Sequence, residues 1–327
     1  MGTTVPPIMS TVPPIINSTV APVVFTINID TVYPYVIEPL LTLCYAFMLV
    51  RIVRSPNREL HTAYYTFFVV VGIAGISNVV VILPFGLNNK IFKFANRWDY
   101  PMCIFEYGSH VYGTAHTFGK FATILTRVTS ILFENETFWT KPRLRLTIFF
   151  IFAIPACLFS LFLVMFTKFM NTNTWYSIAK GMTTSFYLAY LILTIPMSLW
   201  CITRLHRFSA YNKHARQQEI NQTLYAISSS ICHDLKGAQQ CYWMYATINN
   251  DTVLSTRIAS YYNYCNTIAL FSPPVLLLAT SAPTRGALIA AIPFLGYKEN
   301  IRTNIVDVDT NEAKMVTSKS GISVSVF

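Results

Sequence analysis

Residues 62–83 read TAYYTFFVVVGIAGISNVVVIL, a run without one charged side chain. A hydrocarbon core near 30 Å thick is crossed by a helix of about 20 residues, and this block has that length. Six further blocks follow the same logic, at 32–53, 102–133, 146–167, 182–203, 221–246 and 258–282. The whole chain agrees with them: 53% of its 327 residues are hydrophobic and 12% are charged. A soluble domain carries roughly 25% charged residues, so a water-exposed surface cannot be built from so few. The reading is all-α, a seven-transmembrane helix bundle over residues 32–282 in the lipid bilayer. A Pro/Thr-rich segment, 1–31, precedes it and a polar tail, 283–327, follows.

Orientation comes from the Lys and Arg residues near the block ends. One set of segments holds 16 of the 24, from Arg51, Arg54 and Arg58 through Arg127, Lys141, Arg143 and Arg145 to Arg204, Arg207 and the tail. The alternate segments hold six, and Lys120 and Lys236 fall inside blocks. The N-terminus is therefore expected outside, where the sequon at Asn17 would be glycosylated, and the C-terminus in the cytosol. The block at 102–133 is too long for a perpendicular span and should tilt or project. The block at 221–246 is unusually polar. Pro283 is expected to break the seventh helix, and 286–295 is either a short helix on the inner membrane surface or an apolar stretch packed under the bundle.

Several classes are disfavoured. The formal net charge of +10 resides in short flanks of apolar blocks rather than on a helix face, which speaks for topology and against nucleic acid. Seven scattered cysteines form no Cys-x-x-Cys pair, and the histidines lack metal-ligand spacing, so no metal, cofactor or enzymatic role is expected. A retinal-binding protein needs a Lys in the seventh span, and 258–282 has none.

Ionisable residues within a membrane are costly and usually face the bundle interior. In the third block, Glu106, His110, Gly113, Thr117, Lys120 and Arg127 recur at helical steps and share one face. Glu106 lies near one surface, and Lys120 about 21 Å deeper. Glu106 and His110 either contact a ligand or hydrate the helix mouth. Lys120 needs a partner, and Asp234 in the sixth block is the expected one. Gln240 and Trp243 sit among Tyr242, Tyr245, Tyr261, Tyr262 and Tyr264 at the outer ends of the last two blocks. Those aromatics form an interfacial belt, or, where turned inward, wall a pocket for a small organic ligand.

The stretch Leu125-Thr126-Arg127-Val128-Thr129-Ser130-Ile131-Leu132-Phe133, with Trp139 beyond it, narrows the reading. It resembles the inner end of span three in the nematode serpentine chemoreceptors of the class gamma superfamily, which includes the class V receptors. Thr126 stands where that family typically has Asn, Val128 where it has an aromatic, and Glu134 where it has Pro. The resemblance implies a seven-transmembrane receptor of the G-protein-coupled type at the plasma membrane, in sensory cilia or elsewhere. Its partners would be a small-molecule ligand and a heterotrimeric G protein. It implies that Arg127 holds the resting state and then meets the G protein, with Arg143 and Arg204 lining the cytosolic cleft. Ligand contact would fall to Glu106, His110, Gly113, Thr117, Gln240 and Trp243. Many such receptors brace span three with a disulfide, yet 168–179 offers Cys103 no partner. The alternative is a transporter or ligand-gated channel.

Overall fold

The computed structural model describes residues 33–87, 100–133, 138–168, 172–205 and 213–289. Asn17, Asn135, the tail beyond 289 and the side chain of Cys103 lie outside them, so the expectations placed there are not addressed. A π-helical turn, Tyr33–Ile37, runs into α1, Glu38–Arg54, with Pro39 in the first turn, where its missing N–H leaves no bond unmade. The 3₁₀ turn Arg58–His61 leads to α2, Ala63–Leu87. Then come α3, Tyr100–Phe133, α4, Lys141–Lys168, α5, Thr172–Leu205, and α6, Lys213–Ile248. The last three are α7, Thr252–Ser260, α8, Tyr262–Thr280, and α9, Ala282–Ile289. Among the described residues there is no strand.

Four helices, α1, α2, α4 and α5, carry stretches long and apolar enough to cross a membrane, and α7–α9 supply a fifth if that bent pair counts as one span. α3 and α6 are not among them, because these two hold most of the buried ionisable side chains. The distribution of side chains is that of a bundle in lipid. Leu43 on α1, Phe149 on α4 and Ile192 on α5 point outward, each more than 60% exposed, while Thr117, Lys120, Arg127, Ser229, His233 and Lys236 are buried. An apolar solvent outside and internal satisfaction of polar groups is the arrangement a bilayer demands.

Two expectations about ends are corrected. α5 starts at Thr172 and α6 at Lys213, well before the apolar blocks begin; in α6, good helix formers such as Gln217, Gln218 and Glu219 continue the helix past the apolar zone. The last helix does not break at Pro283. It ends at Thr280, where Ser281 adopts an extended conformation, and the chain turns by 95° into α9. Pro283 lies in the first turn of α9, which Ser281 caps by accepting the Thr284 N–H at 3.2 Å. Arg285 donates to the carbonyls of Leu278 and Ala279, both at 2.8 Å, satisfying the open end of α8. Tyr65 OH, 2.8 Å from Ser281 Oγ, ties this corner to α2.

α3 runs through the middle, packed on α2, α4, α5 and α6. It packs tightly on α2 at Gly119: a Cβ there would stand 2.7 Å from Val71 Cγ2. Small residues permit such helix contacts in membranes, and a β-branched neighbour cannot swing aside. Gly119→Ala is expected to destabilise the bundle by about 1–3 kcal/mol. Adding Val71→Ala should restore much of the loss, as read from thermal unfolding in detergent.

Candidate functional site

A cavity of about 320 Å³ lies near the end of the bundle where α3 begins and α6 ends. α3 contributes Glu106, Ser109, His110 and Gly113, and α6 contributes Lys236, Gln239, Gln240 and Trp243. α5 adds Lys180, Thr183 and Tyr187, α2 adds Asn78 and Ile82, and α8 adds Tyr262. Gly113 leaves the wall open where any other residue would project toward Asn78 Oδ1, a buried acceptor without a hydrogen-bond partner. His110 is held from three sides: Nδ1 is 3.0 Å from Thr183 Oγ1, Nε2 is 3.9 Å from Glu106, and the ring stacks on Phe159. Lys180 Nζ sits 3.8 Å over the Trp243 ring, within cation–π range. Gln240 donates to Gln239 Oε1 at 2.7 Å, and Gln239 donates to the Ile258 carbonyl at 3.1 Å, fastening α6 to α7.

Beneath the cavity a polar seam joins α3 to α6. Thr117 Oγ1 is 3.1 Å from His233 Nε2, and Lys120 donates to Ser229 Oγ. His233 is fully enclosed, with the rings of His116, Tyr187 and Tyr190 around it. Tyr190 OH meets Ser230 Oγ at 2.9 Å, which draws α5 into the same layer. Ser229, His233, Lys236 and Gln240 recur at steps of four, three and four, so one stripe of α6 faces inward.

At the far end of the seam the same two helices meet again. Arg127 Nη1 donates to Glu219 Oε2 at 3.0 Å and to Gln222 Oε1, both on α6, and its guanidinium lies 4.7 Å over the Tyr64 ring of α2. Arg127 is 3% exposed and Glu219 27%, so this ion pair is shielded on one side. Ser130 Oγ reaches the same Glu219 oxygen at 3.5 Å. Trp139 braces the end of α3 by donating to Thr129 Oγ1 at 2.8 Å while its ring meets Phe67 edge-on.

Of the residues singled out from sequence, Glu106, His110, Gly113, Gln240 and Trp243 come together on the cavity wall. Thr117 does not line it and belongs to the floor below. The expected Lys120–Asp234 pair is not formed. Asp234 lies five residues beyond Ser229, about 140° round α6, so it points away from the seam that Lys120 enters. One Asp234 oxygen is buried without a hydrogen bond. Arg143 and Arg204 do not join Arg127 either: Arg143 donates to the Phe138 carbonyl at 3.2 Å, and Arg204 lies over Trp200.

Sequence reasoning missed Lys180, Lys236 and Gln239 on the wall, and Glu219, Gln222 and Tyr64 around Arg127. Glu219 precedes the apolar block, so a boundary drawn by hydropathy left it in a loop. Its step of three to Gln222 was the available signal.

A scan of protein-family models and a search of curated proteins both return no match for this chain.

The seam predicts unequal effects of two substitutions on neighbouring turns of α6. Ser229→Ala leaves a buried ammonium without its acceptor and should cost about 1.5–3 kcal/mol of stability. Asp234→Asn should cost less than about 0.5 kcal/mol, since no ion pair is lost. Thermal unfolding of the two variants beside the parent chain decides between this arrangement and a Lys120–Asp234 pair.

Proposed function

We propose that the chain is a seven-transmembrane chemosensory receptor of the plasma membrane that binds a small extracellular ligand and signals through a heterotrimeric G protein. One observation carries the reading: α3 and α6 frame the cavity at one end and are clasped by Arg127, Glu219 and Gln222 at the other. In this reading α3 and α6, with the α7–α8 pair, join the four apolar helices as spans, and the excess of Lys and Arg puts the cavity outside and the clasp inside. The cytosolic clasp holds the resting state. A ligand that favours a different spacing of α3 and α6 at the cavity shifts the population toward an open inner cleft, which the G protein α-subunit then fills. The resemblance of residues 125–133 to class gamma chemoreceptors supports the same reading. Arg143 and Arg204 would serve the docking surface rather than the clasp.

A transporter or channel is the second reading, favoured by the continuous polar seam from Lys236 to Lys120. Solute passage would have to break the Thr117–His233 floor and the Arg127 clasp in turn. Flux of solute into proteoliposomes supports it; accelerated nucleotide exchange on a G protein supports the receptor.

Three outcomes follow. Glu219→Gln weakens the clasp and should raise ligand-independent nucleotide exchange about 5-fold or more. Arg127→Ala and Arg127→Lys should both reach the cell surface and lose stimulated exchange, because in this reading the open state presents the planar donors of Arg127 to the G protein and Lys lacks them, whereas Arg143→Ala changes it little. Normal exchange from Arg127→Lys would reduce Arg127 to a topological role. Glycosylation mapping should find glycan on Asn17 and none on Asn135; the reverse would overturn the orientation.

A further inference from the structure

Lys236 is the group in the cavity whose environment asks for something more. Its side chain is 4% exposed. Nζ donates to Asn266 Oδ1 at 2.7 Å and faces the rings of Tyr187 and Tyr262 at 5.6 and 5.9 Å. Among the described residues no carboxylate forms an ion pair with it: Glu38, on α1, lies near enough to feel its charge but accepts from Thr267 instead, and Asp234 lies about 200° round α6 from Lys236. An ammonium taken out of water is costly unless an anion or a full set of acceptors replaces the water. One amide oxygen and two ring faces replace it in part, and what remains of its surroundings is the cavity.

The rest of the wall has the same sign. Lys180 brings a second ammonium, held over Trp243. Lys120, itself 3% exposed, adds positive charge to the seam below the floor. The negative group on the wall is Glu106, and an imidazole stands 3.9 Å from it. Ile82, Phe105 and the Trp243 ring supply apolar surface on the same wall. The volume, about 320 Å³, is at the small end of ligand sites, which run from about 300 to 1,000 Å³.

We propose that the cavity takes a small organic anion, a carboxylate or sulfate on a compact apolar body, with its head on Lys236 and its body against Ile82, Phe105 and Trp243. The inference deepens the receptor reading and rests on it for the cavity's role as the ligand site. A cationic amine would meet two ammoniums at close range, and a neutral analogue would leave Lys236 without a counter-charge.

Three isosteric probes test it: 4-phenylbutyrate, 4-phenylbutylamine and 4-phenylbutanol, titrated against the full chain in lipid nanodiscs while the thermal unfolding midpoint is followed. Ligand that binds only the folded state raises that midpoint. 4-Phenylbutyrate should raise it in a saturable manner, with the alcohol weaker by ~30-fold or more and the amine without effect. Lys236→Gln should abolish the carboxylate shift, Lys236→Arg should keep part of it, and Glu106→Gln should strengthen it. If Lys236→Gln does not fold, the three probes on the parent chain and Lys180→Gln, which should weaken the carboxylate shift, still decide. A larger shift with the amine, an equal one with all three, or none with the carboxylate overturns the proposal. No G protein enters this measurement. Anion binding without any effect on nucleotide exchange would therefore overturn the receptor reading and leave the ligand class standing, and stimulated exchange by an amine would do the opposite.

Discussion

A helix with a carboxylate, an imidazole, an ammonium and a guanidinium along one face cannot present that face to lipid. This constraint governs the bundle. α3 is pulled to the centre because Glu106, His110, Lys120 and Arg127 must find partners inside, and α6 is the helix that provides most of them. The other helices then pack around the pair with their apolar surfaces outward. α2 can lie against α3 because Gly119 leaves room for Val71, and α5 closes the third side through Tyr187 and Tyr190.

The polar contacts between α3 and α6 are graded along their length. Near the cavity they run through shared neighbours, with His110 turned to α4 and α5 and Lys236 to α8. In the middle they are direct: Thr117 with His233 and Lys120 with Ser229. At the far end they are charged, and one guanidinium holds two acceptors on the partner helix. The two helices are thus joined by successive polar rungs along their length rather than by apolar packing alone. His233 sits at the midpoint, with one ring nitrogen bonded to Thr117 and the other buried and without a hydrogen-bond partner.

Much of this was legible in the sequence because hydropathy reports directly on lipid contact. The apolar blocks at 62–83 and 146–167 gave α2 and α4 nearly in place, and the helical period gave the polar face of α3 with three cavity residues on it, Glu106, His110 and Gly113. What hydropathy could not show was where helices continue beyond the apolar zone. Glu219 sits in such an extension, so the partner of Arg127 was hidden. The Lys120–Asp234 expectation fails for a different reason: position along a block can bring two charges to one depth, but the angular position of Asp234 on α6 excludes the pair. Lys180 escapes notice as a cavity cation because a Lys just outside an apolar block reads as topology, and Lys236 because it is one polar residue among many in the block at 221–246.

The Arg127–Glu219 clasp holds the end of α3 and the start of α6 together. Spin labels at the exposed positions Leu132 and Gln217, in a background with reactive native cysteines replaced, report that separation by pulsed electron resonance in nanodiscs. The account predicts a single narrow distance distribution for the parent chain and a longer, broader one for Glu219→Gln. Identical distributions in the two would contradict it.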